Sequence, residues 1–460
     1  MISKIKSTFF DWHKEIPTAT LAVYRIAFGA LMLFSTLRFL ANGWVHDFYI
    51  APNFHFSYLG FSWLPYPNPI ILYFIFTLLV IASLGILLGF FYRFSAILFF
   101  VLFTYVELLD KTTYLNHYYF VSLISFLLIF LPANRTFSLD TYFGFTQKTK
   151  SIPNWTVAIL KFQIAIVYIF AGIAKLETDW LFDAQPLKYW LHTTHHWPLV
   201  GDVLKEDWVA YFFSWFGCLY DLFIVVFLLQ KKYRNYAFAL VIIFHTVTWL
   251  LFPIGVFPWV MIAGSIIFLS EDIHQRIIQF LTSVIKLFGK INEISTSLTI
   301  KKSRTKIVSV FFISYIAIQL LVPFRYLLYP GDIFWTEQGY RFSWRVMLME
   351  KVGYAEFFIQ DSEKKWLIKN SDYLTPTQEK MMSTQPDMIL EYAHYLQTVY
   401  MDTTIEFGSQ NLSFKNPEVH AEIYVTLNGR PSQLYVDKKH NLAAIKNDLS
   451  HRYWLEDYKK

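Results

Sequence analysis

The sequence predicts an all-α polytopic membrane bundle of about nine transmembrane helices, followed by a strand-rich α+β domain outside the membrane. Three observations support this fold class: repeated apolar stretches, alternating charge between them, and a polar C-terminal region. The apolar stretches are residues 19–41, 70–91, 94–109, 118–132, 153–173, 207–229, 236–252, 256–269 and 305–327. Most approach the ~20 residues that cross a bilayer as a helix. We therefore expect a membrane domain at residues 1–329 and an extramembrane domain at 330–460.

Positive charges between the spans indicate the orientation of the bundle. The N-terminal segment and the even connections carry seventeen Lys and Arg residues: Lys4, Lys6, Lys14, Arg93, Arg135, Lys148, Lys150, Lys231, Lys232, Arg234 and the seven between Arg276 and Lys306. The odd connections carry four: Lys111, Lys175, Lys188 and Lys205. Because short cytoplasmic loops are rich in Lys and Arg, we expect the N-terminus inside and, after nine crossings, the C-terminal domain outside.

Composition agrees with a membrane protein. Hydrophobic residues make up 55% of the chain and aromatic residues 20%, whereas only 16% are charged, which suits interfacial aromatic belts and an apolar cavity. The net charge of +6 is concentrated in the connections predicted to be cytoplasmic, so it indicates contact with anionic lipid and argues against nucleic acid as a partner. The single cysteine, Cys218, excludes an intramolecular disulfide. We expect no cleaved signal peptide, because the first span is too long for one.

The C-terminal domain combines helix and strand signals. Thr375, Pro376 and Gln378 form a helix-start signal, and apolar spacing continues to Leu396. Asn428-Gly429 separates two alternating segments and predicts a β-hairpin. An α+β domain follows from these signals.

Four ionisable residues lie within predicted spans: Arg25, Lys161, Asp221 and Arg325. Such residues are costly in a membrane and are functional candidates, although structural pairing is the commoner explanation. We expect Lys161 and Asp221 to form a buried structural pair, because both are predicted toward the inner side and an unpaired charge there would be costly. Asp221 is therefore not expected to be catalytic.

Lys175 ends the fifth span, which reads TVAILKFQIAIVYIFAGIAK, at its predicted outer end. A lysine in this position is commonly an anchor that extends to the interface. The alternative is a catalytic base. Desolvation in an apolar pocket disfavours the ammonium, and a base near neutral pH needs its pKa to fall to about 7 from a usual value near 10.4.

Two histidines are predicted at the same outer level as Lys175. His117 begins the fourth span beside Asn116, and His245 lies in the seventh span. An isolated histidine is usually a packing residue with satisfied hydrogen bonds, but it is also the side chain most easily used in proton transfer. The shared level of these two and Lys175 makes them candidate site residues.

The string His192-Thr193-Thr194-His195-His196 has the HxxHH spacing of membrane di-iron enzymes. Those enzymes need several such strings on the cytoplasmic side, whereas this chain has one, in a predicted outer connection. We therefore expect no metal site and interpret residues 190–197 as an amphipathic segment on the membrane surface.

Several strings occur in an order and spacing that identify a family. They are Asp110-Lys111, Asn116-His117, Asn134-Arg135 and Ser138-Leu139-Asp140; YIFAGIAKLETDW from Tyr168 to Trp180; Phe244-His245 and Pro253-Ile254-Gly255; and Trp335-Thr336, Tyr340-Arg341-Phe342-Ser343-Trp344 and the hairpin at Glu422 to Asp437. In these strings the chain resembles the vitamin K-dependent γ-glutamyl carboxylases over roughly residues 10–440. Shorter bacterial relatives are similar only in the membrane domain, the HTTM domain.

The resemblance implies an enzyme that carboxylates peptide glutamate and epoxidises vitamin K. In the family a lysine deprotonates vitamin K hydroquinone, a menaquinone-type naphthoquinol here; O2 adds, and the strong base so formed removes a proton from the glutamate γ-carbon, where CO2 then adds. The implied catalytic residues are Lys175, as the base that activates the hydroquinone, and His117. The implied cofactor contacts are Asn116, His117, Lys175 and His245. The implied glutamate contacts are Trp335, Tyr340, Ser343 and Trp344.

The chain departs from the family in two places. Its single cysteine cannot form the disulfide that joins the two parts of the animal enzymes. The string RVMLMEK, from Arg345 to Lys351, differs from theirs, so no role is transferred to residues there. The cysteine-poor composition and basic loops are typical of bacteria, and we expect a multi-pass protein of the bacterial cytoplasmic membrane.

Two other functions remain open at this point. One is a quinol-dependent oxygenase on the same scaffold without glutamate carboxylation. The other is a membrane transporter, which should show paired repeats and broken helices at mid-bilayer; the sequence shows neither. The expected partners are the lipid bilayer and a glutamate-containing peptide or protein.

Overall fold

Long apolar helices form most of the chain before residue 330. The computed structural model describes residues 14–193, 197, 200–285, 296–297, 302–362, 364–407 and 410–459. The longer helices of this part are α1 Ala19–Ala41, α2 Pro69–Leu88, α3 Tyr92–Leu109, α4 Asn116–Phe130, α5 Trp155–Ala174, α6 Asp207–Leu229, α7 Arg234–Leu251, α8 Phe257–Ser265, α9 Glu271–Val284 and α10 Lys302–Leu321.

Seven helical segments in the described residues are long and apolar enough to cross a membrane: α1, α2, α3, α5, α6, α7 and Val310–Leu328, which continues α10. The predicted spans at 118–132 and 256–269 correspond to the shorter apolar helices Asn116–Phe130 and Phe257–Phe268. At ~1.5 Å rise per residue these two helices are shorter than the ~30 Å hydrocarbon core of a bilayer. The chain is a multi-pass membrane protein, and the predicted helical bundle is confirmed.

Arg25 has a structural role inside this bundle. It is fully buried on α1, and its guanidinium donates to the carbonyl oxygens of Ile86, at 3.3 Å, and Phe137, at 2.5 Å. Ile86 lies in the last turn of α2, where helix carbonyls have no intrahelical partner. The buried cation therefore caps α2.

A small sheet gathers the N-terminal segment and two even connections on one side of the bundle. Its strands are β1 Glu15–Pro17, β2 Thr149–Pro153 and β3 Thr296–Ser297; β2 pairs antiparallel with β1 and parallel with β3. We call this side the sheet face. The predicted grouping of the N-terminus with the even connections is confirmed.

The C-terminal domain is an α+β fold, as predicted. Its elements are β4 Lys351–Asp361, β5 Lys364–Ile368, α11 Pro376–Met382, α12 Pro386–Tyr400, β6 Thr403–Phe407, β7 Gln410–Phe414, β8 Glu418–Leu427 and β9 Gln433–Val436. An antiparallel sheet of order β5-β4-β8-β9 packs against α12, and β6 pairs with β7. Thr375 and Gln378 form the capping box of α11. Asn428 and Gly429 adopt φ of 53° and 73° between β8 and β9, so the predicted hairpin is confirmed.

Charged contacts dock this domain on the odd connections. Arg430 binds Asp179 with both guanidinium nitrogens, at 2.5 and 2.8 Å. Glu391 of α12 accepts from Lys111 Nζ at 2.7 Å and from Ser57 Oγ at 2.7 Å. These partners lie opposite the sheet face, and we call their side the domain face. An odd number of crossings is therefore required between β1 and the C-terminal domain.

We expect Arg430→Gln to lower the free energy of unfolding by about 1–3 kcal/mol, because the carboxylate of Asp179, in a largely buried site, would lose both hydrogen bonds from its charged partner. Denaturation in nanodiscs measures this. Lys205→Gln, which removes an exposed pair with Asp202, is the control and should change stability by less than about 0.5 kcal/mol. Equal effects would contradict a docking role.

Candidate active site

A cavity opens between α5, α6, α7 and α8 toward the domain face. It contains about 720 Å³ of empty space, part of it open to the surroundings. Its walls are mainly apolar, and they include Trp180, Phe213, Phe244, Phe252, Phe257 and Met347. The polar lining residues include Lys175, Asp221, His245 and Tyr168. An apolar cavity with a few convergent polar groups is the usual form of a small-molecule site.

A buried ion pair lies in the cavity wall. Lys175 Nζ donates to Asp221 Oδ2 at 2.7 Å and to the carbonyl oxygen of Ala171 at 3.3 Å. Its ammonium also lies 5.4 Å from the centre of the Trp180 ring. Both charged residues are buried, at 7% and 6% exposure, so the two charges interact strongly with each other and weakly with water.

Gly172 brings the two residues together. A Cβ at position 172 would lie 2.8 Å from the backbone nitrogen of Leu222, closer than side chains allow. Small residues permit this close approach between membrane helices. Since Gly172 is almost one turn before Lys175, and Leu222 follows Asp221, the approach of α5 to α6 places Nζ against the carboxylate.

The predicted pair between Lys161 and Asp221 is wrong. The ammonium of Lys161 lies 5.9 Å from the centre of the Phe268 ring, and Asp221 binds Lys175 instead. The prediction was wrong because it assumed a different position of Lys175 along the bundle. The sequence predicts the end of the fifth span at the outer membrane surface, whereas the helices Thr178–Leu181 and Leu187–His192 pack on α6 beyond the end of α5, so Lys175 lies level with Asp221 near the middle of α6.

His245 lies in the cavity with one free ring nitrogen. Its Nε2 is 3.0 Å from Tyr168 Oη, which is 3.3 Å from Ser265 Oγ. Its Nδ1 is buried and has no hydrogen-bond partner within the described part of the chain. A buried polar atom without a partner is costly, and this one lies in the wall of the cavity that Lys175 also lines.

Asn116 and His117 lie next to the cavity, at the start of α4. The ring of Phe257 contacts both imidazoles, with centroids 5.9 Å from His117 and 6.0 Å from His245. Asn116 Nδ2 donates to the carbonyl oxygen of Arg345 at 2.8 Å. The structure thus brings Lys175 and His245 together directly, while His117 lies behind Phe257 and Asn116 holds a loop of the C-terminal domain.

That loop runs from residue 340 to residue 348 and supplies part of the cavity wall. Val346 and Met347 line the cavity. Phe342, Trp344 and Met347 have φ of 60°, 61° and 54°, a left-handed conformation that costs non-glycine residues of order 1–3 kcal/mol each. Such strain is concentrated at functional sites, and here it occurs where the loop reaches the cavity.

The four residues predicted at a glutamate site are buried in different environments. Trp344 stacks on Tyr119, with centroids 5.0 Å apart. Tyr340 is half-buried, and its carbonyl oxygen accepts from the Ser343 hydroxyl. Trp335 Nε1 donates to the carbonyl oxygen of Glu456 at 2.7 Å, inside the C-terminal domain. Trp344 is thus next to α4, whereas Trp335 is remote from the cavity.

Only part of the HxxHH string lies within the described residues. His192 ends a short helix, Leu187–His192, and its Nδ1 is 2.5 Å from the carbonyl oxygen of Lys188. His195 and His196 lie outside the described residues. Among the residues the structure describes, no group of three or more His, Cys, Asp or Glu could hold a metal ion.

The sequence did not predict the roles of four residues of this site: Asp221, Trp180, Val346 and Met347. Asp221 was identified but assigned to another partner. Trp180 was quoted only as part of a string. Val346 and Met347 come from a loop without periodicity, where the family resemblance also ends, so no signal pointed to them.

Glu177 lies two residues after Lys175 in the chain and is partly buried. Its Oε1 accepts from the backbone nitrogen of Trp180 at 3.0 Å, which caps the helix Thr178–Leu181. Burial raises the pKa of Glu177 to about 7, and the negative charge of Asp179 contributes to the rise. Glu177 therefore changes charge near neutral pH at the edge of the site.

Comparison with known families matches both parts of the chain. The profile of the HTTM domain matches residues 13–273, more than half of the chain. The profile of the lumenal domain of vitamin K-dependent gamma-carboxylase matches residues 304–460. No solved structure matches the chain.

We expect Glu177→Gln to change how stability depends on pH. Because the pKa of Glu177 is raised in the folded state, its contribution to stability is present below its usual range near 4.5 and is lost as pH rises through about 7. The melting temperature of the wild type minus that of Glu177→Gln should therefore be about 2 °C lower at pH 8 than at pH 5. Asp202→Asn, at an exposed site, is the control. A pH-independent difference would contradict this assignment.

Proposed function

The chain belongs to the vitamin K-dependent γ-carboxylase family, and we propose that it couples epoxidation of vitamin K hydroquinone to γ-carboxylation of peptide glutamate. The observation that carries this proposal is the buried pair of Lys175 and Asp221 in the wall of an aromatic cavity. Family membership supports a vitamin K-dependent carboxylase in general. The cavity supports the particular assignment of the hydroquinone to this place.

The residues of the cavity fit a naphthoquinol. Aromatic walls suit a fused ring with an isoprenoid tail, and the position between membrane helices gives a lipid-soluble molecule access. Two polar groups suit its hydroxyls: Lys175 Nζ, and His245 Nδ1, which has no partner among the described residues. When bound, the hydroquinone would supply, together with O2, the strong base that acts on the glutamate γ-carbon.

Lys175 acts as the base that takes the hydroxyl proton. At 2.7 Å from Asp221 Oδ2, its ammonium can pass a proton to the carboxylate, which leaves a neutral amine beside a neutral acid. A low-dielectric site favours this neutral pair over separated charges. The amine then becomes available without exchange with water. Asp221 would therefore hold the proton that Lys175 must lose before it can act, and this revises the purely structural role expected for Asp221.

The glutamate side chain would reach the cavity from the domain face. The loop at residues 340–348 closes the cavity there, and Asn116 fixes it beside His117. We assign Trp344 and Tyr340 to the substrate side of this loop on the basis of the family match, and His117 to the space behind Phe257, where the γ-carbon would be shielded from water. Trp335 would act indirectly, through the packing of the C-terminal domain.

Orientation and location complete the proposal. The sheet face carries most of the positive charges of the loops, so we assign it to the cytoplasm and the domain face to the outside. We keep the division into residues 1–329 and 330–460, and a bacterial cytoplasmic membrane as the location. The docking of the C-terminal domain on the odd connections is compatible with this assignment.

We expect Lys175→Met to lower both epoxide formation and CO2 fixation by about 10²–10⁴-fold, because the hydroquinone loses its base. The assay combines purified protein in nanodiscs, vitamin K hydroquinone and a glutamate peptide, with labelled CO2 and epoxide measured together. Lys161→Met, on the same helix, is the control and should retain activity. Epoxide formation without CO2 fixation by the wild type would instead indicate a quinol oxygenase. If the wild type forms neither epoxide nor the carboxylated peptide, the proposed function is contradicted.

We expect Lys175→Met combined with Asp221→Leu to separate chemistry from stability. Lys175→Met alone leaves a buried carboxyl group without its partner and should lower stability by about 1–3 kcal/mol. The double variant replaces the pair by apolar side chains, so stability should return while activity stays absent. Recovery of epoxide formation in the double variant would exclude the base role of Lys175.

A further inference from the structure

Arg345 is a buried cation without a carboxylate partner. Its side chain is 8% exposed, and Nε has no hydrogen-bond partner among the described residues. Within the same residues, no carboxylate oxygen lies within 4.0 Å of its guanidinium, whereas Arg341, four residues earlier, binds Asp387 Oδ2 at 2.6 Å. A buried charge is normally paired, so the environment of the Arg345 guanidinium favours the binding of an anion.

The surroundings of Arg345 stabilise a cation only in part. Its Cζ lies 4.4 Å from the ring centre of Tyr326 and 5.7 Å from that of Phe334. Aromatic faces attract a guanidinium but accept no bidentate hydrogen bonds. Burial lowers the pKa of Arg345 from its usual value, although a hydrogen bond to Tyr326 and the negative charge of Glu177 act in the opposite direction. The N–H donors along the planar edge of the Arg345 guanidinium therefore have no carboxylate acceptor among the described residues.

The position of Arg345 connects it to the cavity. Its carbonyl oxygen accepts from Asn116 at the start of α4, next to His117. Val346 and Met347, which follow it, line the cavity that contains Lys175. The preceding residue, Trp344, also has a buried nitrogen, Nε1, without a partner in the described part of the chain. Two consecutive residues thus present N–H donors without acceptors, in a loop held in a strained conformation.

We propose that Arg345 binds the γ-carboxylate of the glutamyl side chain that this protein carboxylates. This inference rests on the proposed function and adds a substrate contact to it. A carboxylate accepts two parallel hydrogen bonds in the plane of a guanidinium and carries one negative charge, which matches the donor edge and the positive charge of Arg345.

The chemistry of the reaction favours a cation at this carboxylate. Breaking the γ-carbon C–H bond transfers the proton to the base and leaves an electron pair that is delocalised onto the carboxylate oxygens. That pair then forms the new bond to the carbon of CO2, and the product carries two carboxylates on one carbon. Negative charge on the original carboxylate therefore rises before CO2 adds, and a fixed guanidinium stabilises it most at that stage.

Arg345→Gln tests the contact without using turnover. Binding of a fluorescent glutamate peptide and of the same peptide with glutamine in place of glutamate is measured on full-length protein in nanodiscs, without hydroquinone. The wild type should prefer the glutamate peptide by about 30-fold or more, and Arg345→Gln should bind both equally. In the coupled assay, the variant should show a raised KM for the glutamate peptide and an unchanged KM for hydroquinone.

A second variant, Arg345→Lys, is used if Arg345→Gln does not fold. If Arg345→Gln loses its thermal transition, Arg345→Lys keeps the charge but not the bidentate geometry, and the preference for glutamate should fall while the melting temperature is kept. Undiminished preference in either folded variant would overturn the proposal and leave the proposed function intact. Competition by inorganic phosphate or bicarbonate at the same concentration as the peptide would also overturn it, by showing a general anion site. Absence of CO2 fixation by the wild type would instead overturn the proposed function.

Discussion

The contact between Lys175 and Asp221 is the interaction on which the site depends. It exists because Gly172 allows α5 to approach the backbone of α6, and because α5 ends level with the middle of α6, with the helices Thr178–Leu181 and Leu187–His192 packed on α6 beyond it. A lysine at the membrane surface would be solvated and protonated. In this arrangement Lys175 is buried and bound to a carboxylate, in a cavity whose other walls are largely aromatic.

The C-terminal domain completes this cavity. Its docking through Arg430 and Glu391 brings the loop at residues 340–348 against α4, where Asn116 fixes Arg345 and two neighbouring residues close the wall. The membrane bundle alone would leave the cavity open on the domain face. Under the proposed function, this dependence gives a physical reason for the two domains to occur in one chain: the bundle would provide a lipid-accessible base, and the C-terminal domain would provide the boundary through which a water-soluble peptide enters.

The spans, their alternation and the turn at Asn428-Gly429 could be predicted because each depends on local sequence. Lys175 was singled out for the same reason, together with its family match. The partner of Asp221 could not be predicted, since it depends on how far α5 extends along α6 before the helices Thr178–Leu181 and Leu187–His192 pack on α6, and no local pattern encodes that. The contribution of Val346 and Met347 depends on docking between distant segments and on left-handed backbone at non-glycine residues, so periodicity gave no indication of it.

The two buried cations next to the cavity differ in a way that suits one reaction. Lys175 has a carboxylate beside it, so the pair is neutral and can redistribute a proton at little electrostatic cost. Arg345 has no carboxylate within ion-pair distance in the described residues, although the negative charge of Glu177 acts on it from further away. Proton abstraction from the hydroquinone needs the first environment, and accumulation of negative charge on a glutamate needs the second. Placing a carboxylate beside Arg345 would remove the attraction for substrate, and removing Asp221 would leave Lys175 without a proton acceptor. The arrangement of charge therefore separates the base from the site that receives the anion.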